Sequence, residues 1–325
     1  MVGRPRLLNP QFLARHVRNV RQLEVVLEPW LPSEAERTEL TSPASSRSDG
    51  IVRMPLPDRA WFERELVGNN RPAVFPGGAA DWPAVARWGP SYFTRVAGKA
   101  QITTRFEPDA EHVRYYTPAG GVDAVMSFAE YNAKLTATPP DNRYYLAPMR
   151  VPATFPMLLE DCDCSAVSDT REAALFYGRD VFSPTHYHGD EEGVLCQIFG
   201  TKRIVLFPPG QSRLLYPFPW YTHVLNFSRV DPRAPDRASF PRFADATPIV
   251  VDMRPGDMIY VPVHWWHAVE SPGLSCAISF FWKARLRDWR YPRPGLAVHA
   301  HAWLSPMMVR SRLQRLARWF RRQRS

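Results

Sequence analysis

Phe182–Pro209 reads FSPTHYHGDEEGVLCQIFGTKRIVLFPP and carries two histidines, His186 and His188, two residues apart. Successive side chains on a strand point to opposite faces, so both imidazoles share a face and aim at one point. Asp190, Glu191 and Glu192 follow within a turn's reach. Gly200-Thr201-Lys202 interrupts an apolar pattern that resumes at Ile204–Phe207 and stops at Pro208-Pro209. The order is strand, tight loop, strand, hairpin turn, strand. A second histidine segment, GDMIYVPVHWWH, occupies Gly256–His267. A lone strand histidine is more often packed or solvated than a ligand. A pair at i, i+2 with a distant His-bearing partner segment points instead to a metal held across a β-barrel. Imidazole suits Fe, Zn, Cu and Ni, so ligand type alone does not choose the metal.

Outward from this stretch, the 325 residues allow one large domain or two modest ones. Hydrophobic residues make up 45% of the chain, enough for a core without disulfides. The 33 prolines disfavour an all-helical fold and suit short strands joined by many turns. Cys162 and Cys164 are too close for a comfortable bridge. Cys196 and Cys276 sit in apolar runs and read as buried thiols. With no apolar leader segment, this implies a reducing, cytoplasmic setting. No apolar run approaches the roughly 20 residues of a membrane span. The net charge of +9 is unevenly placed: residues 1–22 carry five arginines, residues 310–325 carry seven, and neither segment holds an acid. The terminal arginines outweigh the total, so the body between them is net acidic.

Three regions are expected. Residues 1–50 form a basic extension, with a helix over Phe12–Val26 and a Ser-rich linker at 41–48. Residues 51–295 form the β domain. Residues 296–325 form a basic helical tail, in which Val309, Leu313, Leu316 and Phe320 recur at helical spacing among arginines. Within the β domain, Asp58 is a helix cap, Arg71–Phe75 and Arg143–Leu146 are strands, and Phe128–Lys134 is a helix. Residues 210–247 are a Pro- and Arg-rich insertion between the histidine segments. The fold class is mainly β, a double-stranded β-helix or jelly roll with an N-terminal α/β lead-in and C-terminal helices. A parallel α/β sheet would need regularly alternating amphipathic helices, which the middle of the chain lacks.

From Met54 to Trp282 the chain resembles the JmjC-type cupin hydroxylases, the cupin-8 family, and looks most like their asparaginyl-hydroxylase branch. The matching pieces are Arg71-Pro72-Ala73-Val74, Asp81-Trp82-Pro83, Ser183-Pro184-Thr185-His186, Gln197–Arg203, Leu206-Phe207-Pro208-Pro209, Leu215–Pro219 and Trp265-Trp266-His267. The resemblance implies Fe(II) as metal, 2-oxoglutarate as co-substrate with O₂, and hydroxylation of a peptide side chain or small molecule. It makes His186 the first metal ligand and His267 the last. Lys202 would pair with the distal carboxylate of 2-oxoglutarate, and Ser183 and Tyr145 would hydrogen-bond it. The blander readings are a solvated loop lysine and a core aromatic. Trp265, Trp266, Phe280, Phe281 and Trp282 are expected to line a dry substrate pocket, the blander reading being core. C-terminal helices imply a homodimer; nucleic acid or an anionic membrane surface is the second choice for the basic tail.

One departure stands out: the family's ligand Asp is His188 here. Asp190 could swing in from the loop. His188 could itself be a ligand. Alternatively His186, His188, Glu192 and His267 satisfy the archetypal cupin spacing H-x-H-x₃-E…H, with His264 where that pattern's second motif has an inner glycine. The alternatives in function are a metal-binding cupin without 2-oxoglutarate chemistry and a degenerate, non-catalytic scaffold.

Overall fold

The structure, a computed structural model, describes residues 50–107, 122–146, 149–219 and 224–284. The basic extension, its expected helix and linker, and the helical tail lie outside the described residues. Twelve strands run through the described part: β1 (Val52–Arg53), β2 (Ala73–Phe75), β3 (Gln101–Phe106), β4 (Val122–Ser127), β5 (Tyr144–Leu146), β6 (Met149–Arg150), β7 (Ala173–His186), β8 (Glu191–Phe199), β9 (Lys202–Phe207), β10 (Ile249–Met253), β11 (Met258–Val261) and β12 (Trp266–Lys283).

Two of these strands organise the rest. β7 has 14 residues and β12 has 18, and they pair antiparallel along nearly their whole length. The first part of β12, Trp266–Glu270, also pairs with β9. Its last part, Cys276–Lys283, pairs with β8. β12 therefore passes from one layer to the other and folds a nine-stranded array over itself. One layer runs β1-β2-β11-β8-β12-β7-β6, and the other adds β9 and β10. This is the expected jelly roll. The bends fall at register slips. β7 has one residue more than β12 between the His267/His186 and Val269/Ser183 pairs, at Pro184-Thr185. β12 has one residue more than β7 between Ser271 and Leu274, at Pro272-Gly273. Proline cannot donate to a ladder, so bulges are where strands accept it. Gly273 has φ +64° and donates its N–H to Asp180 Oδ1 at 2.7 Å.

Two other glycines are required by space or turn geometry. Gly200 closes the β8–β9 hairpin with φ +68°. At Gly193 a Cβ would collide with the Phe280 carbonyl, so β8 and β12 can approach closely there. The lead-in is as read, with adjusted bounds. Asp58 accepts from Trp61 N–H at 2.9 Å. Ser127 and Glu130 form a reciprocal cap on the Phe128–Thr136 helix. That helix, the Pro90–Ala97 helix and the small sheet β4-β3-β5 accompany the β8/β12/β7 layer. The core of this face centres on Phe93, whose ring meets Phe128, Tyr177 and Phe199 at 5.1–6.2 Å. Each large apolar side chain buried this fully contributes about 1.5–3 kcal/mol. All four cysteines are unpaired, and three are buried. Among the described residues no helix is long and apolar enough to cross a membrane.

Candidate metal centre

The inner faces of the two layers enclose a cavity of about 320 Å³, and His186, His188 and His267 all line it. His186 ends β7, and its Cα is paired across the ladder with that of His267 near the start of β12. His188 lies just beyond the end of β7, on the same side. One ring nitrogen from each histidine can be chosen so that all three lie within 4.8 Å of one another. The rings are 4.3–5.4 Å apart between centroids. Two of the three are locked from behind by backbone: His186 Nδ1–H donates to the Pro184 carbonyl at 2.8 Å, and His267 Nδ1–H donates to the Trp265 carbonyl at 3.0 Å. A carbonyl only accepts, so the proton sits on Nδ1 and Nε2 carries the lone pair. This is the backing that metal-binding histidines ordinarily have.

Electrostatics keep these rings neutral. Burial pulls His186 well below the usual histidine range, and the neighbouring His267 and His188 add to it. Burial, then His267, brings His188 down to about 3 against the opposing pull of Asp190. Burial lowers His267 as well. Neutral imidazole is the metal-binding form, so the donors fit a divalent transition metal without a proton to displace.

Lys202 begins β9 and faces the same cavity, at 6% exposure. Its Nζ donates to Ser271 Oγ at 2.6 Å, and among the described residues it forms no ion pair with a carboxylate. Burial lowers its pKa to about 8. A buried ammonium without a counter-ion is a standing attraction for an anion. Tyr145 and Ser183 also line the cavity. Phe176, Val181, Ile204, Val261 and Phe281 supply much of its apolar wall.

Several expected residues sit elsewhere. Asp190 does not swing in. It is largely exposed, and Lys283 Nζ holds it at 2.9 Å, outside the histidine cluster. Glu192 is buried on the opposite face of β8, where Tyr260 OH donates to it at 2.6 Å and Trp282 Nε1 at 3.0 Å. The strand's alternation gives the cavity to Glu191 and Gly193 instead. Trp265 and Trp266 do not line the cavity. Trp265 Nε1 is tied to Asn70, and Trp266 is fully buried with its Nε1 on Ser212 Oγ. Phe280 packs edge-on against Trp82 in the outer core, and its neighbour Phe281 faces His188 at 5.4 Å. Ser271 is a cavity residue that the motifs do not mark, whereas Phe281 lines the cavity as expected. Counting by twos from His267 along β12 passes Ser271 and reaches Phe281, so that signal was present.

Comparison with known proteins agrees with this architecture. A model of the cupin-like domain matches residues 59–288. The chain is 28% identical over 252 residues to a lysine-specific demethylase 8 of Xenopus tropicalis, covering 75% of this chain and 55% of that protein. It is 26% identical over 267 residues to a Jumonji C domain-containing protein 5 of Drosophila melanogaster, covering 78% and 63%. It is 26% identical over 301 residues to a human bifunctional peptidase and (3S)-lysyl hydroxylase, covering 79% and 93%. The chain thus spans little more than half to under two thirds of the first two relatives' length. With the jelly roll in place and the matched region covering more than two thirds of its residues, the chain belongs to the cupin-like domain family, in the company of JmjC-type relatives.

Proposed function

We propose that this protein is a non-haem Fe(II)- and 2-oxoglutarate-dependent oxygenase that hydroxylates a peptide side chain or a small molecule. The observation that carries this reading is the pairing, in one cavity, of three neutral imidazoles with a buried lysine that has no acidic partner among the described residues. His186, His188 and His267 would hold the metal. When bound, iron supplies activation of O₂ coupled to oxidation of 2-oxoglutarate, so that substrate C–H becomes C–OH while 2-oxoglutarate and O₂ yield succinate and CO₂. The chain's own part is binding and exclusion. Lys202 neutralises the distal carboxylate, with Tyr145 and Ser183 as hydrogen-bond donors beside it. The aliphatic and aromatic wall keeps water from the reacting end. The relatives' names speak of lysine demethylation and lysyl hydroxylation, which favours a peptide side chain. The asparaginyl-hydroxylase likeness of the motifs favours the same class. A homodimer through the C-terminal helices and a cytoplasmic location belong to this proposal.

The test is succinate formation from 2-oxoglutarate by the purified protein, with and without Fe(II). Iron-dependent succinate is expected, together with iron-dependent 2-oxoglutarate binding. No succinate from metal-loaded protein and no 2-oxoglutarate binding would overturn it. A second reading, a metal-binding cupin without 2-oxoglutarate chemistry, draws on a histidine cluster that no carboxylate joins among the described residues. Under that reading Lys202→Ala leaves activity intact.

A further inference from the structure

The β11–β12 turn, residues 262–265, touches two of the three histidines. His264 N–H donates to the His188 carbonyl at 2.9 Å. The Trp265 carbonyl accepts from His267 Nδ1 at 3.0 Å. The turn is a demanding one, because His264 sits in the left-handed region with φ +64°. It is fastened from outside by one residue far away in sequence. Asn70 is 7% exposed and also left-handed, with φ +52°. Its Nδ2 donates to the Val263 carbonyl at 3.1 Å. Trp265 Nε1 donates to the Asn70 carbonyl at 2.9 Å and to Asn70 Oδ1 at 2.8 Å. Asn70 is in turn set by the end of the Phe62–Val67 helical segment, where its own N–H donates to the Val67 carbonyl at 3.1 Å.

From this network we propose that Asn70 is a positioning residue for the metal centre. It clamps both sides of the turn, Val263 by its backbone and Trp265 by its indole, and the clamped turn fixes the backbone of His188 and the ring orientation of His267. The proposal rests on the reading of these histidines as ligands. It explains why Trp265 is absent from the cavity wall: its indole is spent on the clamp. Two ligand positions thus depend on a residue that touches no ligand. Groups that hydrogen-bond a ligand alter metal affinity by about 10–100-fold when lost, and Asn70, acting through such groups, belongs at the low end of that range.

The experiment is Co(II) titration of the full chain after removal of bound metal, followed by visible absorption, with melting of the metal-free protein measured alongside. Asn70→Ala removes the side-chain bonds to Val263 and to Trp265 and leaves the indole only the backbone carbonyl of residue 70. It is expected to weaken Co(II) binding about 10-fold and to shift the ligand-field bands. Trp265→Phe keeps an aromatic ring but loses the pyrrole half of the indole with its N–H, and so both bonds to Asn70; a smaller loss of about 3-fold with a band shift in the same direction is expected. Asn70→Asp keeps the acceptor and should recover part of the Asn70→Ala loss. Wild-type binding with unchanged affinity and spectrum in Trp265→Phe and in the Asn70 variants overturns the proposal, even where melting falls, because a merely structural clamp would move melting alone. Should Asn70→Ala not fold, Trp265→Phe decides between these outcomes. A wild-type protein that takes up no Co(II) overturns the metal centre itself, and the positioning role with it.

Discussion

Two parts of the cavity wall present histidine in different ways. His186 and His267 stand opposite each other on the longest strand pair, where the ladder fixes their separation. His188 stands past the strand end, on a segment held by a backbone bond from the β11–β12 turn. The first pair is defined by register, which many hydrogen bonds enforce together. The third position is defined by a few contacts and by the residues that shape a turn. On the proposed reading, the departure from the ligand pattern that the resemblance implies falls at the loosely specified position, and the ladder pair keeps its histidines.

The sharpest way to break this contrast is to remove one ladder histidine. His186→Ala or His267→Ala should lower Fe(II) or Co(II) affinity by at least about 100-fold, since even partners one step removed are worth 10–100-fold. Metal content after dialysis measures it, and retention of a full equivalent would show that the pair is not the centre. His188→Ala should cost less, about 10–100-fold, because its segment can adjust and another donor can enter. His188→Asp should keep the metal while adding one negative charge, which a competition titration would read. Equal losses for all three alanine variants would erase the distinction between ladder and turn.

Lys202 tests the other end of the cavity. Lys202→Met should weaken 2-oxoglutarate binding about 10–100-fold, the worth of a hydrogen bond to a charged group, with Co(II) affinity unchanged. Its titration sets a pH limit. Burial lowers the folded pKa from 10.5 to about 8. Only the protonated form attracts a dianion, so affinity should be level below pH 8 and fall about 10-fold per unit above it. In the ligand-free protein the sign is opposite. Between about pH 8 and 10.5 the unfolded chain holds a proton that the folded chain does not, so this group makes folding more favourable as pH rises through that window. Isothermal titration and chemical unfolding across pH 7–10 would check both. The smallest effect is expected at Asp190. Its exposed pairing with Lys283 leaves it outside the centre, so Asp190→Asn should change metal affinity less than about 2-fold. A large loss would place that carboxylate on the metal in solution.

What could be read in the sequence follows the same division. The jelly roll, the shared face of His186 and His188, and the partner His267 came from alternation and spacing, which a ladder obeys. Lys202 followed from its place in the family's motif. The alternatives Asp190 and Glu192 lie away from the histidines because the entry into β8 decides which of two adjacent acids faces the cavity, and a slip of one residue exchanges the faces. The same parity separates Phe280 from Phe281. Ser183 shares the cavity with His186 although the two are an odd number of residues apart, because the extra residue at Pro184-Thr185 shifts the alternation. Asn70 lies 193 residues from the Val263 carbonyl it binds, and no local pattern announces such a contact.

The 18-residue β12 carries His267, Ser271, Phe281 and Lys283, so the histidine cluster, the hydroxyl that Lys202 binds, the aromatic wall and the rim are measured along one continuous strand. That makes it a constraint on descent as well as on shape. A single inserted or deleted codon inside β12 would exchange the faces of the groups beyond it at once, unless a bulge took up the change. Changes inside β12 that keep all four groups in place are therefore exchanges of one side chain for another.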